Sequence, residues 1–95
     1  MKVFFMNITL RAEWCHSLKE KRMIVKSIIA RLKNKFNISV MESEKQDNHQ
    51  IIVISITGLA ADSGQADSII ENIISFVEEN TDAEIIDIEK NKEDY

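Results

Sequence analysis

Cys15 and His16 stand side by side, and a thiol next to an imidazole is the pair from which nucleophilic catalysis is often built. Adjacent residues point apart, however, and no third orienting group or oxyanion motif accompanies them, so no catalytic residue is assigned. Metal chemistry fares no better, because one cysteine and two histidines, His16 and His49, offer neither a CxxC nor an HxxxH spacing. No metal site and no cofactor are expected. The chemistry that remains is anion binding. Lys19, Arg22, Lys26 and Lys33 recur at helical spacing, and at 100° per residue they project within about 60° of one another, a continuous cationic edge. Ser17, Lys19, Lys21 and Arg22 crowd a helix start, where unpaired amides already favour phosphate or carboxylate. Cations there oppose the helix dipole by about 0.3–1 kcal/mol each at low salt, which a bound anion offsets. Trp14, just before the helix, is a candidate for stacking on a base, although such a residue more often covers a core edge.

The element that positions these side chains runs from Ser17 to Phe36. Leu18, Val25, Ile28, Ile29, Leu32 and Phe36 fall in a sector of about 100°, the stripe of a helix packed on a core. Ser17 followed by Glu20 fits a capping box and fixes the start. Before it, Lys2 to Arg11 alternates as a strand, with Phe4, Met6, Ile8 and Leu10 on one side and part of the other side also apolar, as in a central strand. After it, Asn37 to Glu44 fades into charge as an edge strand does. Lys45 to His49 is a turn, and Gln50 to Leu59 is a second two-sided strand with Gly58 marking a bulge or its end. Asp62 and Gln65 cap a second helix, carried by Ala66, Ile69, Ile70, Ile73, Phe76 and Val77 up to Asn80, expected at the C′ position. A last strand, Glu84 to Glu89, is expected to turn Ile86 and Ile88 inward.

The order strand, helix, strand, strand, helix, strand defines an α+β ferredoxin-like βαββαβ domain, a four-stranded antiparallel sheet with both helices on one face. The sequence suits one domain over residues 1–95, with 90–95 expected to fray. The sheet face without helices then carries Val3, Phe5, Met41, Ile51 and Val53, a candidate homo-oligomer interface. Acylphosphatases share this arrangement but need an Arg-bearing, Gly-rich loop after the first strand, and Ala12 to Ser17 lacks both. RNA binding across the sheet face needs aromatics on the central strands, and Gln50 to Thr57 supplies aliphatics.

The net charge of −4 conceals a segregation. Residues 16–35 carry seven cations and one anion, while residues 36–95 carry three cations and fourteen anions. A local cationic stripe can bind phosphates in an acidic chain when the acids lie elsewhere. A single cysteine cannot form an internal disulfide, so a cytoplasmic location is expected, and no apolar run approaches the roughly 20 residues of a membrane span.

His16-Ser17-Leu18-Lys19 with Lys21-Arg22, Arg31-Leu32 with Phe36-Asn37, the run DNHQ before a hydrophobic strand and the terminal DAEIIDIE together resemble the YlxP-like family of small bacterial proteins. The resemblance spans nearly the whole chain. It implies a ferredoxin-like fold of unknown function and, because genes of the family commonly lie among those for translation factors, a role near the ribosome. The family motif falls on His16, Ser17, Leu18, Lys19, Lys21, Arg22, Asp47 and Gln50. Where relatives often carry Leu-Trp before the glutamine, this chain has Asn48-His49, and where a proline usually ends the first strand it has Glu13-Trp14. Two expectations follow: a non-enzymatic module that binds ribosomal RNA or a ribosomal subunit through the basic helix edge, or a homo-oligomeric scaffold built on the open sheet face. Neither invokes a membrane or a small-molecule substrate.

Overall fold

Strand β1 (Lys2–Arg11) sends Phe4, Met6, Ile8 and Leu10 to one side, and each is buried. The computed structural model, which describes residues 1–95, continues with α1 (Leu18–Lys35), β2 (Ser39–Glu44), β3 (Ile51–Ala60), α2 (Ser63–Asn80) and β4 (Glu84–Asp94). The strands form one antiparallel sheet in the order β2-β3-β1-β4, so the two strands with apolar residues on both faces are the central ones. The fold is the expected α+β ferredoxin-like arrangement. Its core lies between the helices and one sheet face, where Val25, Ile28 and Leu32 of α1 and Ile70, Ile73 and Val77 of α2 meet Ile8, Leu10, Ile52, Ile54 and Ile56. Phe36 and Phe76 close the far end edge to face, their ring centroids 5.6 Å apart.

Both helix starts follow from their capping residues. Ser17 Oγ accepts from the Glu20 amide at 3.1 Å, and Asp62 Oδ1 accepts from the Gln65 amide at 2.8 Å. Gln65 Oε1 reaches one residue past the cap and accepts from the Ala61 amide at 2.6 Å. Asn80 is the last helical residue rather than C′; its side-chain Nδ2 donates to the Phe76 carbonyl at 2.8 Å, tying down the final turn.

The last strand departs from expectation in two ways. Residues 90–94 do not fray but pair with β1 down to Lys2 opposite Asp94, and Met1 and Tyr95 exchange two backbone bonds of 2.9 and 3.0 Å. Lys92 ties this stretch to the start of α2, donating to Ser63 Oγ at 2.8 Å and Asp67 Oδ1 at 2.6 Å. A bulge lies where Thr9 faces Asp87 and Leu10 faces Ile85, so Ile86 is the extra residue. Ile85 and Ile88 therefore turn to the core, and Ile86 is exposed.

Gly58 neither ends β3 nor bulges; it pairs directly with Phe4. A Cβ at position 58 would stand 2.6 Å from Phe4 Cζ and 2.8 Å from Cε1, and that ring is buried. The Gly58→Ala variant is expected to lose about 1–3 kcal/mol through overpacking. A lower urea midpoint at unchanged slope would show it, and an unshifted midpoint would mean that the Phe4 ring adapts.

Candidate nucleic-acid interface

Helix α1 lies on the core through Val25, Ile28 and Leu32, which leaves the adjoining sector outside. Lys19, Arg22, Lys26 and Lys33 occupy that sector and all are exposed. Arg22, Lys26 and Lys33 line one side of an open groove of about 490 Å³ between α1 and β2, over a floor of Val25, Ile29 and Ala30. Lys19 stands one turn nearer the helix start. The ion pairs of the molecule are Lys2–Asp94, Arg11–Glu13, Lys21–Glu42 and Lys92–Asp67, so none of the four stripe cations has a carboxylate within 4 Å. From Lys19 to Lys33 the stripe runs about 21 Å at 1.5 Å per residue. Arg31 belongs to another side, donating to the Asn80 carbonyl at 3.3 Å across the contact with α2.

Lys21 is not part of this surface, which corrects its assignment as an anion ligand. Its side chain is 1% exposed. Nζ donates to the Lys45 carbonyl at 2.6 Å and lies 2.8 Å from Glu42 Oε2. That second contact is ionic only, since Oε2 has no partner in hydrogen-bond geometry. The reason is angular: at 100° per residue Lys21 falls within the sector of Val25, Ile28 and Leu32, so packing that stripe on the sheet carries the ammonium inward. Glu42 is the single acidic residue lining the groove, and Lys21 neutralises it from below. Ser17 is exposed at the start of α1; its hydroxyl oxygen accepts the capping bond, and its carbonyl accepts from the Lys21 amide at 3.0 Å.

The loops beside the helix start are fastened by residues whose types alone do not announce that role. Lys45 adopts a left-handed conformation, φ 57°, which turns its carbonyl to both Lys21 Nζ and the Asn48 amide. Asn48 Oδ1 accepts from the amides of Gln50 and Ile51 at 2.9 and 3.1 Å. Gln50 then reaches the other loop, its side-chain amide donating to the Glu13 carbonyl at 3.1 Å while its own carbonyl accepts from the Ala12 amide at 2.7 Å. Two motif positions, Lys21 and Gln50, thus lock the β1–α1 and β2–β3 loops. Between them Cys15 is buried, its Sγ 3.4 Å from the Ser17 carbonyl, while Trp14 is 44% exposed. His16 is exposed as well.

On the open sheet face the expected patch is smaller than its residue types imply. Phe5 and Met41 are exposed and Val3 and Ile51 half-buried, but Val53 is only 5% exposed, flanked by Thr9 on β1 and Glu44 on β2. Beside it Ser55 Oγ donates to Asn7 Oδ1 at 2.5 Å and is hydrogen-bonded to Ser43 Oγ at 2.6 Å, so the middle of the face is polar.

Residues 3–90 match the family described as protein of unknown function (DUF503). The chain belongs to the DUF503 family. A family resemblance at the level of sequence extends to the uncharacterized protein YlxP of Bacillus subtilis (strain 168), 34% identical over 62 residues that make up 65% of this chain and 67% of that protein. The DUF503 chain also superposes on the de novo designed protein Foldit4 with a TM-score of 0.51, covering 99% of this chain and 97% of the design at 15% identity, a likeness of fold alone. No group of three or more His, Cys, Asp or Glu side chains in this DUF503 protein is placed to hold a metal ion, and no helix is long and apolar enough to cross a membrane.

Proposed function

We propose that this protein is a non-enzymatic accessory module that binds RNA phosphates, with ribosomal RNA or a ribosomal subunit as partner, through Lys19, Arg22, Lys26 and Lys33. The observation that supports the reading is the groove in which Arg22, Lys26 and Lys33 stand together without carboxylate partners while its one acidic residue, Glu42, is held by Lys21. Five of the sixteen acids, Glu84, Asp87, Glu89, Glu93 and Asp94, lie on β4, away from this field. Strand β4 lies three strand spacings from β2, about 14 Å, beyond a Debye length of about 8–10 Å at physiological salt. Recognition by ammonium and guanidinium groups along a helix flank reads charge and backbone shape, not base identity. The choice of RNA as the polyanion rests on the translation setting that the family resemblance implies.

The test is the salt dependence of binding to a labelled ribosomal RNA fragment. Four neutralised phosphates give a slope of log affinity against log salt of about −2.8 on single strands and about −3.6 on a duplex. Affinity on single strands then falls about 50-fold between 50 and 200 mM salt. No binding at 50 mM, or binding insensitive to salt, would overturn the proposal.

A further inference from the structure

We infer that the sheet face opposite the helices docks a cationic segment of a protein partner, anchored by apolar side chains of that segment. Phe5 and Met41 stand 42% and 58% exposed beside an open depression of about 890 Å³ that also takes in Asn7, Ser55, Thr57 and Glu89. An exposed aromatic ring and thioether set beside a polar, internally hydrogen-bonded centre form a shallow seat for an apolar anchor. The rim defines the partner's charge. By strand register Glu44 on β2 and Glu84, Asp87, Glu89 and Glu93 on β4 share this face, all exposed, and none has a cation within 4 Å. By strand register Arg11 is the one cation of the face, and it already lies 3.9 Å from Glu13; Lys33 and Lys90 reach the depression from its margin.

A second copy seated face to face would bring two such acidic rims together, which disfavours a two-fold contact here. A segment with lysines or arginines flanking an apolar stripe instead satisfies the rim and fills the seat. This inference goes beyond the phosphate reading and does not depend on it: α1 packs on the other side of the sheet, and Lys33, which lines both the groove and the edge of the depression, is left unchanged in the variants below.

The probe is a labelled amphipathic peptide with lysines flanking a leucine stripe at helical spacing, titrated with the full chain and followed by fluorescence anisotropy. Glu44→Gln, Asp87→Asn and Glu89→Gln combined are expected to weaken binding about tenfold, and Phe5→Ser alone by a similar factor. Glu71→Gln, Glu78→Gln and Glu79→Gln on α2 change the net charge equally and are expected to leave affinity within about twofold. Equal losses in the two triple variants would reduce the effect to net charge and overturn the proposal, as would absence of binding. Sedimentation of the free protein as a dimer that Phe5→Ser dissolves would assign the face to a second copy and overturn it too.

Discussion

Lys21→Ala is expected to destabilise the protein by about 3–5 kcal/mol, because it strands a largely buried carboxylate and removes a donor from a loop carbonyl at once. Glu42 is 17% exposed and its nearest cation is Lys21 Nζ at 2.8 Å. Without the ammonium, that charge must either stay uncompensated or draw water into the seam between α1 and β2. The loss is a large share of the 5–15 kcal/mol typical of a whole domain, and for a chain of this size it lowers Tm by roughly 12–40 °C. Hydrogen exchange should localise part of the effect: the amides of Asn48, Gln50 and Ile51, held in the turn that Lys45 closes, lose protection first. The combined Lys21→Met and Glu42→Leu variant separates charge from packing. A well-filled apolar pair in place of a buried ion pair is often neutral or stabilising, so the double variant should recover most of what the single variant loses. A single variant that melts within a degree of wild type would show that the ammonium is not the clasp that its contacts describe.

The same residue shows where sequence patterning stops being informative. By type Lys21 belongs on the surface, yet its helical angle lies among Val25, Ile28 and Leu32, and with Glu42 as partner the angle prevails. The partner could not be inferred locally, since Glu42 sits on the far side of the helix terminus on another strand. Element order, by contrast, was legible because every signal for it is short-range: the alternation of Phe4, Met6, Ile8 and Leu10, the two-sided strands, and the caps at Ser17 and Asp62. Structure departs from local pattern where strand pairing decides. Residues 90–94 are too polar to announce a strand and form one because β1 extends beside them. The choice of Ile85 over Ile86 depends on a bulge opposite Thr9 and Leu10, and the need for glycine at 58 depends on the ring of Phe4 two strands of sequence away. Val53 is covered by side chains of β1 and β2, which only the register brings together. The cationic stripe was legible for the opposite reason, since it is a property of one helix and of the faces that helix turns inward and outward.

Reversing three members of that stripe, Lys19→Glu, Arg22→Glu and Lys26→Glu, is expected to weaken RNA binding by about 100-fold or more, with each lost charge-assisted contact contributing roughly 1 kcal/mol and the new carboxylates adding repulsion. Net charge alone cannot be the cause if Arg11→Glu, Lys45→Glu and Lys90→Glu, which shift the total equally from sites off the groove, leave affinity nearly intact. Unfolding is separable as well. Lys19 lies in the first turn of α1, where a carboxylate favours the helix dipole by about 0.3–1 kcal/mol, so the stripe variant should keep its Tm even as it loses RNA. Lys33, left in place, still offers one phosphate contact, which predicts residual binding with a salt slope near −0.7 instead of about −2.8. Equal losses from the two triple variants would transfer the effect from the groove to the overall charge. An unchanged affinity with the stripe reversed would leave the free cations of α1 as a solvated face with no polyanion to hold.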